Sequence, residues 1–356
     1  MTTRSVVVKV GTSSVTDARG GVDTGVLAAI ARDVASLRAE GWQVIVVTSG
    51  AITAGWSEVG GGRRRPTDAA TLQAVSAVGQ PLLMHAWRDA FGALGVPVGQ
   101  VLLAPLDFAH RGQYLQARGT LESLARLGVV AIVNENDAVA DEEIRFGDND
   151  RLAALVANLV GASHLVLLTD TEGLLSADPR LDPNATLIDE VAAIDASVLE
   201  LAGRSRSGVG SGGMASKLAA ARIATWSGVT VAIAQARREE PVRRVLGPGA
   251  GGTTFRARAD RLAARKAWIA FAAPSRGTVT INDGAVHALV EAGRSLLRVG
   301  VVAHAGAFGE GDAIDVLDIS GARVAKGLTR VDAAGLDSDD ENLVIHRDDL
   351  VVLRAG

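Results

Sequence analysis

The chain has 356 residues, 48% of them hydrophobic and 21% charged, with a formal net charge of −4. This is globular composition, long enough for two or three domains, and its mild acidity gives no general attraction to nucleic acid or to an anionic membrane. The absence of cysteine rules out disulfides and thiolate chemistry and suits a reducing cytosol.

The first element in chain order is the strand "VVVKV" at 6–10, whose apolar run is too short for a signal peptide. A helix is predicted over 24–40, where Leu27, Ile30, Ala31, Val34 and Leu37 share one face. Further strands are predicted at 44–49, 129–134, 164–170 and 229–234. They are nearly continuous in hydrophobicity, as strands buried on both faces are. Between them, "GGGRRRP" (60–66) reads as a mobile surface loop. Residues 92–106, the best candidate for a membrane span, are too few and include Pro97 and Pro105. A soluble, cytoplasmic protein is therefore expected.

Alternation of this kind predicts a mainly parallel sheet with helices on both sides. "GPGAGGTT" (247–254) reads as a loop and 255–270 as a basic connecting segment. Beyond Pro274 the texture changes to short strands broken by turns such as Asn282-Asp283-Gly284, the pattern of a small β-barrel. The expected division is a catalytic domain at 1–254, a connecting segment at 255–274 and an all-β domain at 275–356.

Ligands of open parallel sheets bind beyond the carboxyl ends of the strands. Polar or glycine-rich residues follow four of the predicted strands: Gly11 to Ser14, Thr48 to Ala51, the stretch from Asn134, and Thr169-Asp170. The stretch "NENDAVADEEIRFGDND" (134–150) holds seven carboxylates, three carboxamides and one cation, Arg145. Such crowding of like charge is costly. It could be a solvated loop, a calcium site, an anchor for a substrate's ammonium group, or a support for catalytic cations.

Only four of the 36 basic residues are lysine: Lys9, Lys217, Lys266 and Lys326. A lysine kept in an arginine-rich chain can mark a need for a compact charge, and Lys9 and Lys217 both read as falling in glycine-containing loops. "GVGSGGMASK" (208–217) opens a helix, so its backbone N–H groups and Lys217 could hold phosphate; an ordinary flexible loop fits that segment equally. "GVGSGG" and "GPGAGG" both satisfy G-x-G-x-x-G without following a strand, and no Walker A loop is present. The six histidines lack zinc-ligand spacing, the acidic stretch lacks EF-hand order, and no G-x-S-x-G occurs. With 3% aromatic residues, stacking surface for single-stranded nucleic acid is scarce. The residues alone point to phosphate handling by two lysines beside a carboxylate-rich pocket.

"VVVKVGTSSVT", "VTSGAITAG", "AVGQ", "VNENDAVA", "FGDND", "LLTDTEGL" and "GVGSGGMASK", in this order, resemble the glutamate 5-kinase branch of the amino acid kinase family. The C-terminal part resembles the PUA domain attached to many of these kinases. The resemblance implies a three-layer αβα sandwich and ATP-dependent phosphorylation of the L-glutamate side-chain carboxylate, the first step of proline biosynthesis. It implies that Lys9 and Lys217 flank the transferred phosphoryl group and that Asp150 orients them. It places glutamate on Ser49, Asp137 and Asn149. The nucleotide is placed on Lys9, Thr169 and Asp170, with its phosphates on Ser211, Gly212, Gly213, Met214, Ala215, Ser216 and Lys217.

Mg²⁺ would accompany ATP, with no dedicated protein metal site. Feedback inhibition by L-proline and a homodimer or homotetramer are also implied. Within the acidic stretch, Asp137 with Asn134, Asn136 and Asn149 would then receive the substrate's α-ammonium. Glu142 and Glu143 read as solvated, and Asp141 is unassigned. Arg145 stands where a lysine is frequent, and Ser211 where threonine is frequent. Residues 275–356 carry eight basic and thirteen acidic side chains, net −5. That balance favours a structural or regulatory role for this domain over RNA binding. The rival enzymatic reading is another acyl-phosphate-forming kinase, acting on N-acetylglutamate or aspartate.

Overall fold

The computed structural model describes residues 4–17, 19–139, 149–203, 213–247, 251–337 and 342–353. The chain divides into two compact units, one of residues 1–107 and 111–261, the other of 108–110 and 262–356.

In the first unit, β1 is Ser5–Val10, β2 Gln43–Val47, β3 Val98–Leu103 and β4 Val130–Glu135. β5 is His164–Thr169, β6 Glu190–Val191, β7 Thr230–Gln235 and β8 Gly252–Phe255. They form one sheet in the order β3-β4-β2-β1-β5-β7-β8-β6. Neighbours run parallel except β7 and β8. The strands are apolar on alternate residues of both faces because both faces are covered. Val6, Val8 and Val10 join Val44 and Val46 in a core completed by Leu27, Ile30 and Val34 of the helix Thr24–Ala39. Val7, Leu165 and Leu167 are equally buried and face the opposite side, where the helices Asn149–Val160 and Met214–Trp226 pack. The observed fold is α/β with a mainly parallel sheet between helical layers.

Residues 247–254 do not all form the expected loop, because Gly252–Phe255 is a strand antiparallel to β7. A Cβ on Gly252 would come within 2.3 Å of the Ile233 carbonyl oxygen. The glycine that reads as loop composition is there for close strand approach. The expected connecting segment is divided between the two units at Arg261 and Leu262. In "GGGRRRP", Arg63 turns back to donate to the Gly60 and Val59 carbonyls at 2.9 and 2.8 Å, closing the helix Ala51–Val59.

The helix Ala69–Gly92 starts at Asp68, which accepts from the Thr71 N–H, and continues through Pro81. It buries Val75, Gly79, Leu83, Trp87 and Phe91 at intervals of four. Gly79 meets Gly55 of the helix Ala51–Val59, and a Cβ on Gly79 would stand 1.8 Å from the Ala51 carbonyl oxygen. Backbone cannot yield as a side chain does, so Gly79→Ala is expected to destabilise the fold by about 2–3 kcal/mol. A lowered thermal midpoint would register it; an unchanged midpoint would contradict this packing.

In the second unit, β9 is Ser275–Ile281, β10 Leu296–Leu297, β11 Val301–Ala305 and β12 Ala313–Leu317. β13 is Arg323–Leu328, β14 Leu343–Ile345 and β15 Leu350–Val352. They form a five-stranded sheet, β11-β9-β12-β13-β15, and a pair, β10-β14, around Val279, Ile281, Ile314, Val316, Val344 and Ile345. Buried Asp349 ties the start of this unit to its end, pairing with Arg265 at 2.7 Å and Arg330 at 2.9 Å.

Candidate active site

The order β4-β2-β1-β5 makes neighbours of the four strands whose carboxyl ends carry the polar segments. Residues far apart in sequence thereby meet at one sheet edge, as the sequence reading expected. Two half-sites result, joined at Asn149 and Asp150 in the first turn of the helix Asn149–Val160.

One half-site is cationic. Lys9 on β1 lies 2.7 Å from one oxygen of Asp150, and Lys217 lies 3.3 Å from the other. The Ser216 hydroxyl donates to that second oxygen at 2.8 Å. All three ionisable groups are buried, Asp150 to 1% exposure and each lysine to 4%. Burial by itself raises the pKa of Asp150, but the charges of Lys9 and Lys217 and the hydrogen bonds from Lys9 and Ser216 outweigh it and hold the pKa at about 2. Burial depresses the pKa of Lys217, opposed by the attraction of Asp150 and reinforced by repulsion from Lys9. Two lysines sharing one carboxylate leave a net positive charge under low dielectric, a strong attractor for an anion.

The other half-site presents acceptors. Asn149 donates its amide hydrogens toward the Thr48 carbonyl at 2.9 Å, the Ser49 hydroxyl at 2.8 Å and Asn134 Oδ1 at 3.0 Å. Its own Oδ1 is buried without a hydrogen-bond partner. A buried acceptor left open asks for a donor. Asp137, also buried, accepts from the Ser76 hydroxyl at 2.6 Å and has no cationic partner among the described residues. Burial raises its pKa, partly offset by that hydrogen bond. Gly50 (φ +101°) begins the helix Ala51–Val59 next to Ser49, and a Cβ there would strike Val15 at 2.7 Å.

At the third position, buried Thr169 donates to exposed Asp170 at 3.0 Å at the end of β5. Gly213 begins the helix Met214–Trp226 with no side-chain cap. The first-turn N–H groups of Met214, Ala215 and Ser216 are therefore free of a capping side chain, as phosphate binding requires. Ser216 faces Asp150 and the Gly213 carbonyl instead. Ser211, Gly212, Asp141, Glu142, Glu143 and Arg145 lie outside the described residues.

The sequence reading expected the ends of β1, β2, β4 and β5 at one edge and, from the resemblance, Lys9, Lys217 and Asp150 around the transferred group. The structure brings those three together and joins Asn149 to Ser49, while Asp137 is hydrogen-bonded to Ser76. The sequence reading gave no role to Ser76, or to Gln80 of "AVGQ", both on the helix Ala69–Gly92. The signal available was a serine and a glutamine four residues apart beside an apolar stripe.

Among the described residues no group of three or more His, Cys, Asp or Glu is arranged to hold a metal ion. None of their helices is long and apolar enough to cross a membrane.

The sequence profile described as the amino acid kinase family matches residues 4–235, and that described as the PUA domain matches residues 277–340. A protein of Nocardia farcinica named glutamate 5-kinase is 48% identical over 98% of this chain and 96% of its own length. A protein of that name from Paraburkholderia xenovorans is 45% identical, over 93% of this chain and 89% of its own. Another, from a Synechococcus species, is 42% identical over 98% of both.

Proposed function

The chain belongs to the amino acid kinase family, and from that premise we propose that it transfers the γ-phosphoryl group of ATP to the side-chain carboxylate of L-glutamate. The products are L-glutamyl 5-phosphate and ADP, and the reaction would open proline biosynthesis in the cytoplasm. The observation that carries the reading is the pair of buried lysines held by one carboxylate next to the open buried acceptor Asn149 Oδ1.

The acceptor carboxylate has a reference pKa of about 4.3 and is already ionised at neutral pH, so no strong base is needed. The barrier lies in bringing an anion to a polyanion, and alignment with positive charge lowers it. Lys9 and Lys217 would meet the phosphoryl oxygens as charge spreads over them. Asp150 holds both ammonium groups in place without leaving the site neutral. The open first turn at Gly213 would receive the nucleotide's phosphates, and Thr169 and Asp170 its remainder. With both oxygens of Asp150 engaged by Lys9, Lys217 and Ser216, Mg²⁺ would be carried by the phosphates. When bound it would neutralise their charge.

At the other end, Asp137 and Asn149 Oδ1 receive the α-ammonium, with Ser49 beside them. Because burial raises the pKa of Asp137, lowering the pH should protonate it above the ordinary carboxylate range and remove the attraction. KM for L-glutamate is therefore expected to rise with acidification while KM for ATP stays level; steady-state kinetics against pH would show it. A proline, as a smaller ammonium carboxylate, would occupy the same pocket as an inhibitor. A homo-oligomeric assembly and a structural or regulatory role for the C-terminal unit complete the proposal.

The test is ATP-dependent hydroxamate formation with L-glutamate, N-acetyl-L-glutamate and L-aspartate as acceptors. Product from L-glutamate alone supports the reading. Preference for the acetylated acceptor, which lacks the ammonium, would refute the pocket assignment.

A further inference from the structure

The motif "AVGQ" (77–80) and the helix that carries it have no part in the chemistry so far. Ser76 and Gln80 stand four residues apart on the helix Ala69–Gly92, one turn on a shared face. The geometry points to these two as positioning residues that set recognition of the substrate's α-ammonium, Ser76 acting through Asp137 and Gln80 through Asn134 and Asn149. This inference rests on the glutamate reading above.

The case for Gln80 is an accounting of amide orientation. The Glu135 carbonyl can only accept, and Gln80 Nε2 lies 3.2 Å from it. Gln80 Oε1 is thereby turned toward Asn134 Nδ2, 3.1 Å away. Asn134 Oδ1 then faces the Glu135 N–H, a fixed donor at 2.9 Å, and receives Asn149 Nδ2 at 3.0 Å. The Thr48 carbonyl fixes the same sense for Asn149. The chain of amides ends with Asn149 Oδ1, buried and unpartnered, obliged to present an acceptor. Reversing Gln80 would put two donors or two acceptors face to face.

Ser76 serves the second acceptor. It is 1% exposed and donates to one oxygen of Asp137 at 2.6 Å. A hydroxyl donor favours the ionised carboxylate and fixes its rotamer, leaving the other oxygen for a cation. Between the two, Gly79 lets the helix lie directly on the backbone of Ala51–Val59, so Ser76 and Gln80 are held by a rigid contact. Neither side chain needs to touch the substrate, so neither is a catalytic residue.

The experiment is steady-state kinetics of the full chain and of Ser76→Ala and Gln80→Met, with glutarate measured as a competitive ligand against L-glutamate. Glutarate has both carboxylates and no ammonium. Ser76→Ala is expected to raise KM for L-glutamate about tenfold, and Gln80→Met about fivefold, from the loss of a charge-assisted and a neutral hydrogen-bonded support respectively. kcat, KM for ATP and the Ki of glutarate should stay at wild-type values. Parallel weakening of glutarate would show a merely structural role and overturn the inference, as would an unchanged KM for L-glutamate. A wild-type chain that forms no hydroxamate from L-glutamate would overturn the functional reading itself, a result separable from either variant's behaviour.

Discussion

Lys9→Ala or Lys217→Ala is expected to lower kcat by about 10²–10³, the usual cost of removing one pre-organised electrostatic donor from a water-excluded site. Each lysine is buried and fixed against Asp150 before any ligand arrives, so none of its positioning has to be supplied during the reaction. KM for L-glutamate should change far less, because both lysines are bound to Asp150 whereas the acceptors proposed for the ammonium are Asp137 and Asn149 Oδ1. The two losses should not multiply, since removing either lysine leaves the other bound more tightly to an unshared carboxylate. Arginine at position 217 is not expected to restore activity: its planar fork cannot replace a compact ammonium group in a space closed by Ser216 and Asp150. Rates measured at saturating ATP and L-glutamate decide the matter, and wild-type turnover in either alanine variant would remove the lysines from the mechanism.

Asp150→Asn should damage both stability and activity. The native carboxylate compensates two buried ammonium groups; the amide compensates neither, and breaking a buried ion pair on one side costs about 3–5 kcal/mol. The pH dependence has a definite sign. The pKa of Lys217 is already depressed by burial, and without Asp150 it falls further, so the folded variant binds fewer protons than the unfolded chain. Its stability should then rise with pH as Lys217 sheds its proton. In the wild type the depressed carboxylate acts with the same sign but in the acid range: its stabilisation is complete above the ordinary carboxylate range and is lost as pH falls through about 2. Thermal unfolding of both proteins at neutral and alkaline pH would show the variant's deficit narrowing. A deficit independent of pH would contradict the charge account. kcat should fall by at least about 10², as both lysines lose their anchor.

Much of this arrangement was legible in the sequence because parallel strands announce themselves. β2, β4, β5 and β7 are built on unbroken apolar runs and β1 on one interrupted only by Lys9, and polar or glycine residues end or follow each of them. Once those ends are placed along one sheet edge, Lys9, Ser49, Asn134 and Thr169 follow. The rarity of lysine also sorted well physically. Lys9 and Lys217 meet at Asp150, while Lys266 and Lys326 donate to the carbonyls of Arg347 and Ala273 inside the C-terminal unit.

Three features escaped the sequence reading for reasons of context. β3 is an edge strand with Gln100 and Leu102 exposed and Gly99-Gln100 interrupting its apolar residues, and it lies inside the 92–106 stretch whose apolar character reads first as a membrane span too short to cross. β8 is preceded by glycines that look like loop and serve close packing against β7. The helix Ala69–Gly92 contains Pro81, which breaks the local pattern, so the side chains behind Asp137 and Asn149 could not be placed. The hydrogen bond from Ser76 to Asp137 spans 61 positions, and no local pattern encodes a pairing of that range.

The central claim is that the γ-phosphoryl group passes to a carboxylate of L-glutamate. Phosphorus NMR of the full chain with ATP, Mg²⁺ and L-glutamate tests it most directly. An acyl phosphate signal is expected, growing with ADP, vanishing on addition of hydroxylamine, and absent when N-acetyl-L-glutamate replaces L-glutamate. Conversion of ATP to ADP and free phosphate at a rate indifferent to L-glutamate, with no acyl phosphate at any time, would contradict the account.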